Sequence, residues 1–310
     1  MQNTLRSEVS FAGTGLHSGL PVRMTVRPAM ADHGIWFRRT DLVGARALIP
    51  AKWDAVVPSR LCTVVANAAG ERVSTIEHLM AALAGCAIHN ALIEIDGPEV
   101  PILDGSAAGF VEAFVLRGLR ELAAPVRAIR VLKPVAVQDG EASARLDPAE
   151  MLEIDFRIDF TDAAIGVQSR KLNMANGAFV RELSDSRTFC RQVDVDRMRK
   201  GGLALGGTLE NAVVFEGDRV ISPGGLRHVD EPVRHKMLDA VGDLALAGGT
   251  LLGRYTGRRA GHALTNRLLR ALFSDPDAYE MVDCNAPTVG KLPGVGVLPR
   301  DLPTHGRDAA

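Results

Sequence analysis

Cysteine is scarce and scattered in this chain. Cys62, Cys86, Cys190 and Cys284 form no Cys-x-x-Cys pair, so the sequence offers neither a disulfide framework nor a thiolate zinc site, and reduced thiols in a cytoplasmic protein are expected. Basic excess is missing too: 36 Lys and Arg stand against 37 Asp and Glu, for a net charge of −1, which leaves no electrostatic footprint for nucleic acid. No apolar run is long enough to cross a bilayer, the most apolar stretch being 79–88, so no transmembrane segment is expected. The first residues, Met-Gln-Asn-Thr-Leu-Arg-Ser-Glu, lack the basic and apolar regions of a secretory signal. What is present in quantity is ordinary. With 46% hydrophobic and 24% charged residues, the chain can build genuine cores in a soluble protein, and 310 residues suit two domains of average size.

Hydrophobic patterning predicts strands at 22–26, 35–38 and 61–65, a helix carrying Glu77 and His78, a strand at 91–95 and a helix at 107–116. Ala123-Ala124-Pro125 is a plausible boundary. The second half repeats the grammar, with strands at 129–137 and 152–160, a long middle region, and helices around Arg234 and His262. Strands followed by helices in each half suggest two α+β layers. The glycine-rich stretch 201–207 cannot be a packed helix interior and reads on its own as a surface loop. The residues from 286 onward, rich in Pro and Gly, read as an irregular, peripheral tail.

The chemistry gathers in three short segments. The first, running from His235 to Asp243, has no Pro and one internal Gly, and helical periodicity places His235, Asp239 and Asp243 on one face. An imidazole and a carboxylate four residues apart can bind one metal ion, and that N,O pair suits zinc. The same spacing also describes an ion pair on a helix surface, so a third ligand must come from elsewhere. Ser74-Thr75-Ile76-Glu77-His78 supplies a candidate, with Ser74 or Thr75 as N-cap and Gly85 ending the helix, although an exposed Glu beside a core His would look the same. The third segment, Gly261-His262-Ala263-Leu264-Thr265-Asn266, is a glycine turn leading into an apolar helix. Together the three point to a hydrolytic metal site. The His-Glu-x-x-His signature of zinc peptidases is absent.

With these segments in view, the chain resembles the UDP-3-O-acyl-N-acetylglucosamine deacetylase family, the zinc amidases of lipid A biosynthesis. The resemblance rests on Thr-Gly-Leu-His-Ser-Gly (14–19), Ser-Arg-Leu-Cys-Thr (59–63), Thr-Ile-Glu-His-Leu-Met-Ala-Ala-Leu (75–83) and Asp-Gly-Pro-Glu-Val-Pro-Ile-Leu-Asp-Gly-Ser (96–106). It continues through Ser-Arg-Thr-Phe (186–189), Gly-Leu-Ala-Leu-Gly-Gly (202–207), Val-Arg-His-Lys-Met-Leu-Asp (233–239) and Gly-His-Ala-Leu-Thr-Asn (261–266), in family order to about residue 285.

The resemblance implies an α+β fold of two similar α/β sandwich domains facing each other, with the active site in the cleft between them. On that basis domains are expected at 1–124 and 125–285, an acyl-passage insertion near 190–222, and a tail at 286–310. It implies removal of the N-acetyl group of UDP-3-O-acyl-N-acetylglucosamine, giving UDP-3-O-acyl-glucosamine and acetate, the committed step of lipid A biosynthesis in Gram-negative bacteria. His78, His235 and Asp239 would hold one catalytic Zn²⁺, with Fe²⁺ as an alternative in vivo. Three protein ligands leave a fourth position for water, the catalytic arrangement. A noncatalytic metal-stabilised binding protein would close the site with a fourth ligand, which the sequence does not offer; another zinc amidohydrolase is the second alternative.

The resemblance also assigns roles. Glu77 would be the general base and His262 the general acid that protonates the leaving amine, with Asp243 as the carboxylate partner of His262. Thr188 would donate to the developing oxyanion. Lys236, about 100° round the helix from His235, would face the diphosphate-bearing side of the substrate. Phe189 would pack on the sugar, Asp194 would contact it, and Leu61, Cys62 and Thr63 together with Gly207 would border substrate and acyl passage. Cys190-Arg191 stands where many members carry Gly-Phe, which puts the neighbouring acyl contacts in doubt. The expected partner is the small amphiphilic substrate alone, and a monomer is expected.

Overall fold

Alternation of buried and exposed side chains builds the sheets. In the strand Pro21–Pro28, Val22, Met24 and Val26 are buried while Arg23 and Arg27 face solvent, the period of a half-buried strand. It pairs antiparallel with Val9–Thr14 and with Ala91–Ile95; the latter runs parallel to Ile35–Arg39, and Leu48–Pro50 closes the edge of this five-stranded sheet. In the second half Leu152–Asp159 alternates in the same way and lies parallel to Thr250–Arg258 in a seven-stranded sheet. The computed structural model describes residues 1–304, and among these no ladder joins a strand before residue 124 to one after it.

The described residues hold seven α-helices: α1 (Glu77–Gly85), α2 (Ala108–Arg117), α3 (Ala178–Glu182), α4 (Gln192–Lys200), α5 (Glu231–Ala245), α6 (His262–Phe273) and α7 (Ala286–Val289). The architecture is α+β, and its halves share an order: α1, the strand Ala91–Ile95 and α2 in the first, and α5, the strand Thr250–Arg258 and α6 in the second. The halves meet where α1 packs on α5. Helix α1 is apolar nearly all round and buried along almost its whole length, as a helix between two layers must be. The approach is close because position 242 is glycine. A Cβ there would stand 2.0 Å from the Glu77 carbonyl oxygen.

Four local expectations are corrected. The expected strand at 61–65 is reduced to Val64–Ala66, because the backbone N–H and hydroxyl of Thr63 are bonded to side chains of the site. The expected strand at 129–137 is two strands, Arg127–Val131 and Val135–Asp139, separated around Pro134, which has no N–H to give to a ladder. Neither Ser74 nor Thr75 caps α1. Ile76 occupies the N-cap position, and Thr75, at φ 57°, turns its hydroxyl to Glu99 instead. The stretch from 286 is not an irregular periphery throughout. Asn285 caps α7 by accepting from the Thr288 N–H, and Leu292 is buried against Val126, Ala128 and Leu252. The end of the expected tail, 305–310, lies outside the described residues.

Candidate active site and metal centre

His78 lies in the first turn of α1, and His235 and Asp239 lie one turn apart on α5, so the contact between the two helices brings three potential ligands together. Their donor atoms all fall within 4.8 Å of one another, and all three residues are buried. Asp239 Oδ1 is 3.3 Å from His235 Nε2 and 3.6 Å from His78 Nε2. That oxygen is buried and has no hydrogen-bond partner among the described residues. A buried carboxylate oxygen without a donor is costly, and a cation between it and two imidazoles would satisfy it. The Nδ1 of His235 is 3.0 Å from the Ser186 carbonyl oxygen, which directs its Nε2 to the cluster. Burial pushes the His235 pKa down to about 4, keeping the ring neutral as a ligand requires. Burial would raise the Asp239 carboxyl, but neighbouring His235 and Lys236 hold it well below the usual range. A borderline dication fits this N,N,O donor set.

Beside the triad sits a chain of acid–base groups. His262, the first residue of α6 after the extended Gly261, places Nδ1 2.9 Å from Asp243 Oδ2 and Nε2 3.8 Å from Glu77 Oε1. Thr63 ties the two carboxylates down: its N–H donates to Glu77 Oε2 at 2.9 Å and its hydroxyl to Asp243 Oδ1 at 2.5 Å. Burial raises the Glu77 pKa above the ordinary carboxylate value. Burial would lower the pKa of His262, but Asp243 and Glu77 push it up to about 9.

The remaining predicted residues divide by position. Thr188, Phe189, Asp194, Lys236, Leu61 and Gly207 line one cavity of roughly 840 Å³ together with Glu77, His262 and the three metal-ligand candidates. Thr188 is half-buried, and its backbone N–H is held by the Gly105 carbonyl at 2.7 Å. Lys236 reaches along α5 and donates to Asp239 Oδ2 at 2.7 Å, a partner that its 100° offset from His235 did not suggest. Asp194 is held between Arg191 at 2.6 Å and Arg197 at 3.1 Å. Cys62 and Thr63 are not among the residues that line the cavity; both are buried, and the Cys62 thiol is pushed up to about 11, chiefly by burial. Away from the polar end the walls are apolar, drawn from Phe160, Val195, Met198, Leu203, Leu209 and Ile221.

Several supporting residues carry no signal in the local sequence pattern. Arg187 and Glu231 form a buried ion pair, Nε to Oε1 at 2.9 Å, and Glu231 also accepts from the N–H groups of Arg187 and Arg227. This fixes the segment that presents the Ser186 carbonyl and Thr188. From the other half, the Gly105 carbonyl accepts from the Thr188 N–H at 2.7 Å, and Asp104 pairs with Arg227 at 2.9 Å. Glu99 accepts from the N–H groups of His17 and Ser18, both at 2.8 Å, anchoring the loop that forms the adjacent wall. Glu99 and Asp104 sit in the quoted block 96–106, but only the fold gives them a task.

Comparison with known proteins follows this geometry. The model of a family described as UDP-3-O-acyl N-acetylglycosamine deacetylase matches residues 2–274. The chain is 51% identical over 280 residues to the UDP-3-O-acyl-N-acetylglucosamine deacetylase of Phenylobacterium zucineum (strain HLK1), an alignment covering 90% of this chain and 96% of that protein. It is 45% identical over 299 residues to the protein of the same name from Shewanella frigidimarina (strain NCIMB 400), covering 94% and 97%. With the one from Shewanella baltica (strain OS155 / ATCC BAA-1091) it shares 44% over 303 residues, covering 96% and 99%. Matches that run nearly end to end, over a chain whose His, Asp and Glu residues converge on one cavity, leave one conclusion: the chain belongs to the UDP-3-O-acyl-N-acetylglucosamine deacetylase family.

Proposed function

We propose that the protein hydrolyses the N-acetyl group of UDP-3-O-acyl-N-acetylglucosamine in lipid A biosynthesis, and that it does so with one zinc ion held by His78, His235 and Asp239. The observation that carries the metal assignment is the buried, partnerless Oδ1 of Asp239 facing two imidazoles. When bound, the metal would supply a Lewis acid and lower the pKa of a coordinated water to about 7. The protein's own groups do the rest. Glu77, its pKa raised by burial, is suited to take a proton from the attacking water. His262, whose pKa Asp243 and Glu77 push up against burial, would give a proton to the departing amine, which cannot leave as an anion. Thr188 and Lys236 both line the cavity; the Thr188 hydroxyl would donate to the developing oxyanion, and Lys236 would face the diphosphate-bearing side of the substrate. Phe189 and the apolar walls would receive sugar and acyl chain, the latter along the insertion at 190–222. The domain limits of 1–124 and 125–285 belong to the same reading, as does a cytoplasmic location.

The test joins metal analysis to release of amine from the acylated UDP-sugar. His78→Ala is expected to lose both metal and activity. Glu77→Ala is expected to keep its metal and lose roughly 10²–10⁴-fold in turnover, the usual contribution of a positioned acid or base. Full metal occupancy in the first variant, or loss of metal in the second, overturns the assignment.

A further inference from the structure

Leu61, Leu203 and Leu209 both line the cavity and remain 40%, 41% and 38% exposed, so they stand at its opening. Three more large apolar side chains, each more than half exposed, belong to the segments that form this wall or pack on it. Val193 lies on α4, with Lys200, on the face turned away from the cavity-lining residues. Leu205 packs on Gly19, and Leu20 is the next residue after that glycine. Other large apolar residues, such as Met30, Val43 and Val229, are exposed in segments that do not line the cavity. An apolar cluster at one opening needs an explanation.

The charge around the rim identifies what it fits. Residues 191–210 together with Arg60 carry five cations against three carboxylates, in a chain whose net charge is −1. Arg191 and Arg197 share Asp194, whereas Arg60, Arg199 and Lys200 are exposed and form no ion pair among the described residues. Arg199 is bonded only to the neutral Gly207 carbonyl, at 2.9 Å. Exposed leucines interleaved with unpaired Arg and Lys form a surface that gains from acyl chains and anionic headgroups together. No helix among the described residues is long and apolar enough to cross a membrane, so such contact would be peripheral.

We propose that the rim formed by α4, the turns at 201–209 and Leu20 is a docking surface for an anionic lipid bilayer. The opening of the cavity then lies against the lipid, where an amphiphile can pass between the two without exposing its chain to water. Docking is measured without substrate, so its failure would leave the proposed deacetylation untouched.

The experiment is flotation of the full chain with vesicles of phosphatidylethanolamine and phosphatidylglycerol, and with vesicles of phosphatidylcholine. Retention is expected on the anionic vesicles, to weaken on neutral ones, and to fall as salt screens the headgroups. Lys200→Glu, which reverses one charge, should lower the partition on the order of tenfold. Val193→Ser combined with Leu20→Ser should lower it further, with thermal melting unchanged as the control for folding. No retention on anionic vesicles overturns the proposal, as does equal retention on both vesicle types or retention indifferent to these substitutions. Should the rim instead drive concentration-dependent dimerisation without vesicle binding, its occupant is a second copy of the chain and the proposal fails.

Discussion

At its polar end the cavity rests on α1 and α5, pressed together at Gly242, and four of the side chains there are each held by a second group. Thr63 fixes Glu77 and Asp243, Ser186 fixes His235, and Asp243 fixes His262. At its apolar end the same cavity rests on α4 and the turns after it, backed by a separate small core of Val195, Ala212 and Val214. The leucines that line this end are partly open to solvent. Under the proposed function the contrast follows from what each end would do. Proton transfer and metal binding demand donor atoms placed within fractions of an ångström. Burying an alkyl chain is non-directional, so an approximately shaped sleeve is enough.

The largest expected break in this comparison is at the buried pair behind the polar end. Arg187→Met leaves the Glu231 carboxylate, 1% exposed, without its counter-charge, which should cost about 3–5 kcal/mol of stability. The pair also leaves a signature in pH. Burial would raise the Glu231 carboxyl, but its bonds to the Arg187 side chain and to backbone N–H groups lower it below the ordinary value. A group depressed in the folded state stabilises above its unfolded pKa, about 4.3 for Glu, and that contribution fades as pH falls through the folded value. Denaturant unfolding across the acid range should therefore show a slope that Glu231→Gln makes shallower. A slope as steep in Glu231→Gln as in the wild type would assign the acid sensitivity to other carboxylates alone.

Gly242→Ala tests the close approach itself. Its Cβ would lie 2.0 Å from the Glu77 carbonyl oxygen and 3.2 Å from the Ala81 nitrogen, both backbone atoms that cannot swing aside. Overpacking of this kind costs about 1–3 kcal/mol. Because α1 carries His78 as well as Glu77, the same shift should weaken metal retention in competition with a chelator. Gly201→Ala, at the apolar end, supplies the comparison: its Cβ meets nothing nearer than 3.4 Å, and a change within about 0.5 kcal/mol is expected. Equal effects of the two substitutions would remove the distinction between a rigid floor and a tolerant sleeve.

Much of the polar end was legible beforehand because its residues sit at helical spacing within short segments. The i,i+4 relation of His235 and Asp239 and the adjacency of Glu77 and His78 are written in the sequence, and the helices follow from their periodicity. What joins them is not local. Thr63 reaches Asp243 across 180 residues, and Arg187 reaches Glu231 across 44, so no spacing rule anticipates either bond. The internal glycine at 242 was visible, but its meaning required α1 on the other side of it. Thr75 shows the converse, since a good capping residue was drawn into a left-handed turn because Glu99 offered its hydroxyl a better partner. In the stretch from 286, Pro and Gly content concealed an Asn-capped turn and a buried Leu292, because composition registers polarity and not which few apolar residues find a pocket.

A smaller expected effect than either the Arg187 or the Gly242 substitution, and one that reads the apolar end through its ligand, comes from the length of the substrate's acyl chain. If the walls at Val195, Leu203 and Leu209 receive that chain, each CH₂ removed should lower kcat/KM by about 0.8 kcal/mol, roughly fourfold. The increment should be unchanged in Glu77→Gln, whose defect lies in proton transfer at the other end, and should shrink in Leu203→Ala and Leu209→Ala, which withdraw contact area. Measuring the series in all four proteins separates the two ends of the cavity. An increment lost in the Glu77 variant would mean that chain binding and chemistry are coupled through the floor, against the independence argued from the separate cores. Indifference to chain length in the unsubstituted protein would show that the acyl group lies elsewhere, and the apolar walls would then need another occupant.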